Sequence, residues 1–385
     1  MKRLYRTEVL WFSFSLFLMA NITMLFRSNS LGFGLKMIGL IITVWFLALL
    51  LYSVLIPQAR IVTALKILII SSLPSTIFSI WQLYSFYAFG YIPKIPFIDF
   101  FPLPHEESLL HRSYMFYLPG IPRVMGFLAE PNSYGLFLAL CLTSSFYLIF
   151  LHRKRSEITE PWRRIIIFSM CLNLPVLVFT FSRSGWLTLV FGMTILLLYN
   201  KKLSFKNFLK AKVFLGVFIF TALIATTTLI TSSNVLERRL SFSEMEAHIN
   251  TRLAGLEFVK EHPWFGIGYG NYGAYKGMRF GVSSTHSYYL NFLVEGGIYG
   301  FFSFIIFCLS LLMGAHSRRN RFGYVLIFMV LFNNIFYHTF FLEITWITIG
   351  IAIAFGNLGG NAFEKDQKYE RNITPSFYYH PDVQS

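Results

Sequence analysis

A succession of apolar stretches, each about as long as a bilayer is thick, constrains this chain more than any other feature. They lie at 7–26, 37–56, 62–90, 132–151, 165–181, 184–199, 213–231, 287–313, 323–337 and 340–357. A helix of about 17 or more apolar residues crosses the roughly 30 Å of hydrocarbon in a bilayer. The ten segments predict an all-α polytopic membrane protein, with the third unusually long and the ninth marginally short. Composition points the same way. The 385 residues are 55% hydrophobic and include 44 Phe, against 13% charged, more apolar surface than a water-soluble core hides. The expected organisation is a single transmembrane domain over 1–357 followed by a polar cytoplasmic tail over 358–385.

Orientation follows from Lys and Arg, which are retained in cytoplasmic connections. Lys2, Arg3 and Arg6 open the chain, so the N-terminus is expected inside. Alternation then places inside the basic connections His152 to Arg164, Asn200 to Lys212 and the Arg318, Arg319, Arg321 turn. Both termini come out cytoplasmic. The net charge of +15 is mostly this topological signal. Nucleic-acid binding is excluded as its explanation, because no separate basic domain exists to follow a phosphate backbone. The first segment follows basic residues as a signal peptide does, yet no small-residue cleavage site precedes Arg27, and it reads as a retained anchor. Cys141, Cys171 and Cys308 all lie within spans, which argues against a disulfide framework or a cysteine metal site. No external Asp-x-Asp or paired carboxylates at ligand spacing occur, so neither metal nor cofactor is expected.

Two connections, 91–131 and 232–286, are too long to be turns, and both are expected outside. Polar residues recur where the spans meet water on that side: Arg123, Glu130, Arg183, Arg252 and His286. Charged groups are costly near hydrocarbon, so their convergence at one face reads as a site. Cations with one titratable imidazole fit chemistry on an anionic, lipid-borne substrate. Each has a plainer alternative. Arg123 either snorkels beside a helix cap formed by Asn132 and Ser133 or, with Glu130, lines the entrance to a site; Pro131 suits the first turn of the helix that follows. Arg183 sits in the short hairpin Phe181-Ser-Arg-Ser-Gly185, where it either anchors to headgroups or offers its forked donors to a diphosphate; Gly185 is expected to permit the reversal.

In the larger loop, Ile249, Leu253, Leu256 and Val259 share one face of a helix-like stretch suited to the membrane surface, with Arg252 at its border and Pro263 ending it. Trp264-Phe-Gly-Ile-Gly-Tyr-Gly-Asn-Tyr-Gly273 follows, as a packed surface turn, a lid, or a backbone that approaches a ligand. It is not a dinucleotide fingerprint, since no strand precedes it and no helix opens from it. His286 is either an interfacial helix-start residue or a general base, the one side chain there with a suitable pKa. Tyr288, Asn291 and Glu295 form a polar stripe down the next helix. Asn333, Asn334, His338 and Glu343 surround the last outer turn, either packing against the site or stabilising the helical hairpin.

The order of these motifs resembles the O-antigen ligase and O-antigen polymerase superfamily. The likeness covers roughly residues 120 to 310 and rests on Gly126-Phe-Leu-Ala-Glu-Pro-Asn132, Ser182-Arg-Ser-Gly185, Arg252-Leu-Ala-Gly255, His262-Pro-Trp-Phe-Gly-Ile-Gly268, and His286 with Tyr289-Leu290 and Glu295-Gly296 through Gly300. The resemblance implies a membrane glycosyltransferase that takes a glycan from a polyprenyl-diphosphate carrier at the outer face of the bacterial cytoplasmic membrane. Its acceptor is a hydroxyl on a glycan, lipid or other molecule, and neither metal nor nucleotide sugar takes part. It implies His286 as catalytic base, Arg183, Arg252 and Arg123 as diphosphate ligands, and Glu130, Asn132, Tyr289, Asn291 and Glu295 as supporting residues. Ser287 stands where members have Asn after the histidine, and members often have around twelve spans. The reading from another class is a flippase for lipid-linked glycan, which would need polar residues at broken helices near the midplane.

Overall fold

The computed structural model describes residues 2–55, 58–90, 93, 123–128, 130–151, 158–199, 242–272, 285, 287–316, 321–340 and 342–357. These form ten helices in chain order: α1 Lys2–Phe26, α2 Leu31–Val54, α3 Gln58–Phe89, α4 Pro131–Leu151, α5 Glu160–Phe179, α6 Arg183–Tyr199, α7 Phe242–Glu261, α8 Tyr288–Gly314, α9 Phe322–Phe336 and α10 Glu343–Asn357. Nine correspond to expected spans; the expected span at 213–231 lies outside the described residues. By length and composition α1, α2, α3, α4, α5 and α8 are able to cross a membrane, while α6, α9 and α10 are shorter apolar helices. The tail at 358–385 also lies outside the described residues.

Two packing regimes hold the bundle. Aromatic stacking joins α1, α2, α8 and α10: Phe17 stacks on Phe292 at 5.4 Å and on Phe307 at 5.0 Å, Phe14 on Trp45 at 4.4 Å, and Phe307 on Trp346 of α10 at 6.1 Å, while Tyr288 stacks at 5.1 Å on Phe340 in the turn before α10. Offset ring pairs of this kind add about 0.5–1.5 kcal/mol beyond area burial. In a lipid-facing bundle, where burial from water drives little association, that added packing matters.

Small and polar residues join α3, α4, α5 and α6 instead. Gly135 of α4 meets Gly185 of α6 so closely that a Cβ on Gly185 would lie 2.8 Å from the Gly135 Cα. Between α3 and α5, the Thr76 hydroxyl donates to Asn173 Oδ1 at 2.6 Å, and Asn173 Nδ2 donates to Ser72 Oγ at 2.7 Å and Ser169 Oγ at 3.0 Å. Ser79 donates to the Tyr134 hydroxyl of α4 at 3.1 Å. Close backbone approach and interhelical hydrogen bonds are the two contacts a bilayer rewards. α4 is the most enclosed of the long apolar helices.

Candidate functional site

The start of α4, the α5–α6 hairpin, the α9–α10 turn and the start of α8 meet at one end of the bundle. Val124 N–H donates to the Phe179 carbonyl at 3.1 Å, drawing the segment before α4 onto the end of α5. Tyr288, opening α8, stacks on Phe340 and meets the His338 ring edge-on at 5.7 Å, both in the α9–α10 turn. Asn333 Nδ2 donates to Thr188 Oγ1 of α6 at 3.0 Å, and its Oδ1 accepts from the Thr339 hydroxyl at 3.1 Å. The cluster around the α9–α10 turn therefore stabilises its own hairpin and also packs against α6.

Arg123 is buried, with 6% exposure, and points inward. Its Nε donates to the Thr180 carbonyl at 2.9 Å, and one terminal nitrogen donates to Asn132 Oδ1 at 3.1 Å and to the Phe181 carbonyl at 3.5 Å. The last carbonyls of a helix lack internal donors, and here a guanidinium supplies them. Arg123 thus clamps the α5–α6 turn, where its sequence position had left it either snorkelling beside a helix cap or lining, with Glu130, the entrance to a site. Asn132 turns its side chain to Arg123. Glu130 precedes Pro131 and accepts at its backbone carbonyl from Tyr134 N–H at 3.0 Å, the first hydrogen bond of α4. Its carboxylate accepts from the Tyr337 hydroxyl. Burial, then the Glu130 carboxylate, push the Tyr337 phenol well above its ordinary value, keeping it a protonated donor.

The hairpin reversal is made by Phe181, whose φ of 48° is left-handed. Gly185, expected to permit that reversal, instead lies inside α6 as the close contact with Gly135. Ser182 caps α6, its Oγ accepting from Gly185 N–H at 3.1 Å. Arg183 is then the first residue of the helix and is exposed, placed where unsatisfied N–H groups and the helix dipole favour an anion.

α7 follows the expected surface-helix pattern, leaving Ile249, Leu253 and Leu256 exposed. It rests on α8 where a Cβ at Gly255 would meet Thr285 Cγ2 and Val294 Cγ2 at 3.2 Å. Arg252 is half-buried one turn earlier, and its Nε has no hydrogen-bond partner among the described residues. His286 lies outside the described residues, between two that are described. Thr285 N–H donates to Asn291 Oδ1 at 3.1 Å, and its hydroxyl donates to the Ser287 carbonyl at 2.9 Å, with Asn291 Oδ1 at 3.2 Å. Asn291 therefore fixes the backbone on either side of position 286.

Tyr289 and Glu295, the other supporting residues expected on α8, do not share a polar path. Tyr289 donates to the Leu331 carbonyl of α9 at 3.0 Å, a helix–helix contact. Glu295 is buried, and its Oε1 accepts from Gly270 N–H at 3.0 Å. That bond belongs to a clasp which sequence reading left open as turn, lid or ligand cradle. α8 breaks at Gly297, with φ 64° and ψ −164°. The segment 263–272 enters the break: Ile267 N–H donates to the Val294 carbonyl (3.1 Å) and Gly268 N–H to that of Glu295 (2.9 Å), while Ile298 and Tyr299 N–H donate to the carbonyls of Pro263 (2.7 Å) and Trp264 (3.1 Å). Gly266 and Gly268 have positive φ, and a Cβ on either would collide with the backbone of α8 or of Arg27 and Ser28. The glycines serve protein-to-protein approach.

Tyr337 and Gln82 escaped the sequence reading. Gln82 Oε1 accepts from Met125 and Gly126 N–H, each at 3.3 Å, and Ser75 Oγ accepts from Phe127 N–H at 3.0 Å. Ser75, Ser79 and Gln82 recur at helical spacing in an apolar span, which is the signal that marks them.

No curated protein matches the chain. A family model described as O-antigen ligase matches residues 168–305, a stretch running from α5 into α8 and holding Arg183, Arg252, His286, Tyr289, Asn291 and Glu295. Over that stretch the chain is similar to the O-antigen ligase family, the likeness that the motif order implied.

Proposed function

We propose that the protein is a membrane glycosyltransferase of surface-polysaccharide synthesis, transferring or polymerising glycan units from a polyprenyl-diphosphate carrier at the outer face of the bacterial cytoplasmic membrane. The observation that carries this reading is the exposed Arg183 at the N-terminus of α6, on a hairpin braced by Arg123, inside the segment matched to O-antigen ligases. The carrier's isoprenoid tail stays in lipid while Arg183 and Arg252 hold its diphosphate. His286 accepts the proton from the attacking acceptor hydroxyl. The new glycosidic bond forms as the anomeric C–O bond to the diphosphate breaks, with inversion, and the carrier diphosphate leaves. Charge grows on that leaving group, so guanidinium groups fixed in advance stabilise the transition state more than the ground state. Arg123, Glu130, Asn132 and Asn291 act as positioning residues, the first three on the hairpin and α4, the last on the backbone flanking His286. No metal is required in this scheme.

Among the described residues the break in α8 is filled by the 263–272 clasp, which favours this reading over a flippase that would need an open break. The test is incubation of the purified protein with a defined carrier-linked repeat and mass analysis of the products. Transfer with inverted configuration is expected. His286→Ala should lower turnover by about 100- to 10,000-fold with carrier binding nearly intact. Arg183→Ala should weaken both, and Arg183→Lys should rescue poorly, because an ammonium cannot make the bidentate contact. Wild-type turnover by the His286 variant, or full activity with Lys at 183, would overturn the assignment.

A further inference from the structure

A groove of about 380 Å³ runs along the outer side of α1 where it meets α8, lined by Met19, Ile22, Thr23, Phe26, Arg27, Phe265 and Tyr299. Its floor and walls are apolar; Thr23 turns its hydroxyl to its own helix, donating to the Met19 carbonyl at 3.0 Å. Its single charged side chain is Arg27, which is exposed and makes no ion pair among the described residues. Arg27 directly follows the apolar stretch Glu8–Phe26, so it stands at the level of lipid headgroups whichever way the helix is inserted. Phe265, 47% exposed, lines the groove with Arg27, and its neighbour Trp264 is 66% exposed, the residue types of an interfacial aromatic belt. From Arg27 to Met19 the groove descends eight helical residues, about 12 Å, into the hydrocarbon.

We propose that this groove is a binding site for one anionic phospholipid of the surrounding bilayer, with its phosphate on Arg27 and an acyl chain along Met19, Ile22 and Phe26. Charge decides the class of occupant: a lone exposed guanidinium at the mouth of an apolar channel complements a phosphate attached to a hydrocarbon chain. The site is also built by the protein's own irregular backbone. Tyr299 follows the break at Gly297, and its N–H is held by the Trp264 carbonyl at 3.1 Å, while Asn271 Nδ2 donates to the Arg27 carbonyl at 2.9 Å. Clasp and groove are therefore one construction, and a lipid seated there braces the loop that closes α8. None of the residues lining the groove belongs to the hairpin carrying Arg183.

The full-length protein in detergent, titrated with phosphatidylglycerol or with phosphatidylcholine of the same acyl chains, should retain one phosphatidylglycerol in native mass spectrometry with about fivefold preference. Arg27→Gln should bring that preference to parity. Ile22→Trp, at a partly exposed wall position, should lose the retained lipid altogether while elution and melting stay as in the wild type. A phosphatidylglycerol carrying a diazirine in its acyl chain should label peptides spanning Met19–Arg27, Phe265 or Tyr299 in the wild-type protein, which localises the site even if a variant folds poorly. Unchanged preference in the Arg27 variant, or labelling confined to other helices, would overturn the proposal. So would displacement of phosphatidylglycerol by equimolar polyprenyl phosphate, which would assign the groove to the carrier tail. All three readouts are independent of glycosyl transfer.

Discussion

Segments 123–128 and 263–272 are both largely irregular backbone set partly inside one end of an apolar bundle, and they satisfy their hydrogen-bonding groups by different chemistry. Backbone N–H and C=O groups cannot be left unpaired near hydrocarbon. The first segment is tied by side chains: Gln82 and Ser75 accept from its amides, and Arg123 donates out of it to the carbonyls that end α5. The second is tied mainly by backbone, its amides and carbonyls completing those freed where α8 breaks, with Glu295, Asn271 and Ser28 among the side-chain contributions. Side-chain ties need particular functional groups, and in 123–128 they also need one glycine, Gly126, whose φ is 56° and where a Cβ would collide with Ser75 Oγ. Backbone ties need no functional group, only the absence of Cβ atoms. One region should thus fail chiefly through lost polar groups and the other chiefly through added methyls.

The sharpest break is expected at Gly297. A Cβ there would sit 2.5 Å from Gly266 N and from the Trp264 carbonyl, at a φ that L residues adopt at a cost. Gly297→Ala should destabilise by about 3 kcal/mol or more, seen as collapse of monodisperse protein in size-exclusion analysis. Near-normal yield would mean that the clasp is not needed to hold the break. Next comes Arg123→Ala, which strips donors from the Thr180 and Phe181 carbonyls and should cost about 2–3 kcal/mol by thermal melting. Carrier binding should fall with it, since the hairpin holding Arg183 loosens; a stable variant with intact binding would separate the clamp from the site.

Gln82→Leu removes one acceptor shared by two amides at 3.3 Å, and about 1–2 kcal/mol is expected from the same melting assay. The smallest change should be Glu295→Gln, within about 1 kcal/mol, because the amide oxygen still accepts from Gly270 N–H; Glu295→Leu, which cannot, should cost about 1–3 kcal/mol. Equal losses in the two Glu295 variants would show that charge, rather than the hydrogen bond, is what the clasp uses.

The spans were legible because a helix in lipid announces itself by unbroken apolar length, as Leu31–Val54 and Tyr288–Gly314 do. The surface helix over Phe242–Glu261 was legible from the spacing of Ile249, Leu253 and Leu256. Residue type and motif order also singled out Arg183 and Arg252 as cations and led to the family later matched over 168–305. Partner identity was another matter. Arg123 and Arg183 read alike as interfacial arginines, yet one is buried as a clamp and the other stands exposed at a helix start. Gly185 looked like a turn glycine and proved to be a contact glycine, the turn falling to Phe181.

The amino-acid order by itself determined that this chain forms apolar helices and that a few polar side chains gather near their ends, because hydrocarbon penalises charge and unpaired backbone wherever they fall. Only the tertiary structure decided which of those side chains brace the protein and which stand exposed. That choice depends on helices far apart in sequence, such as α3 with the 123–128 segment and α1 with the 263–272 clasp, approaching within hydrogen-bond reach. No local pattern encodes such an approach, since it is fixed by the summed packing of the whole bundle.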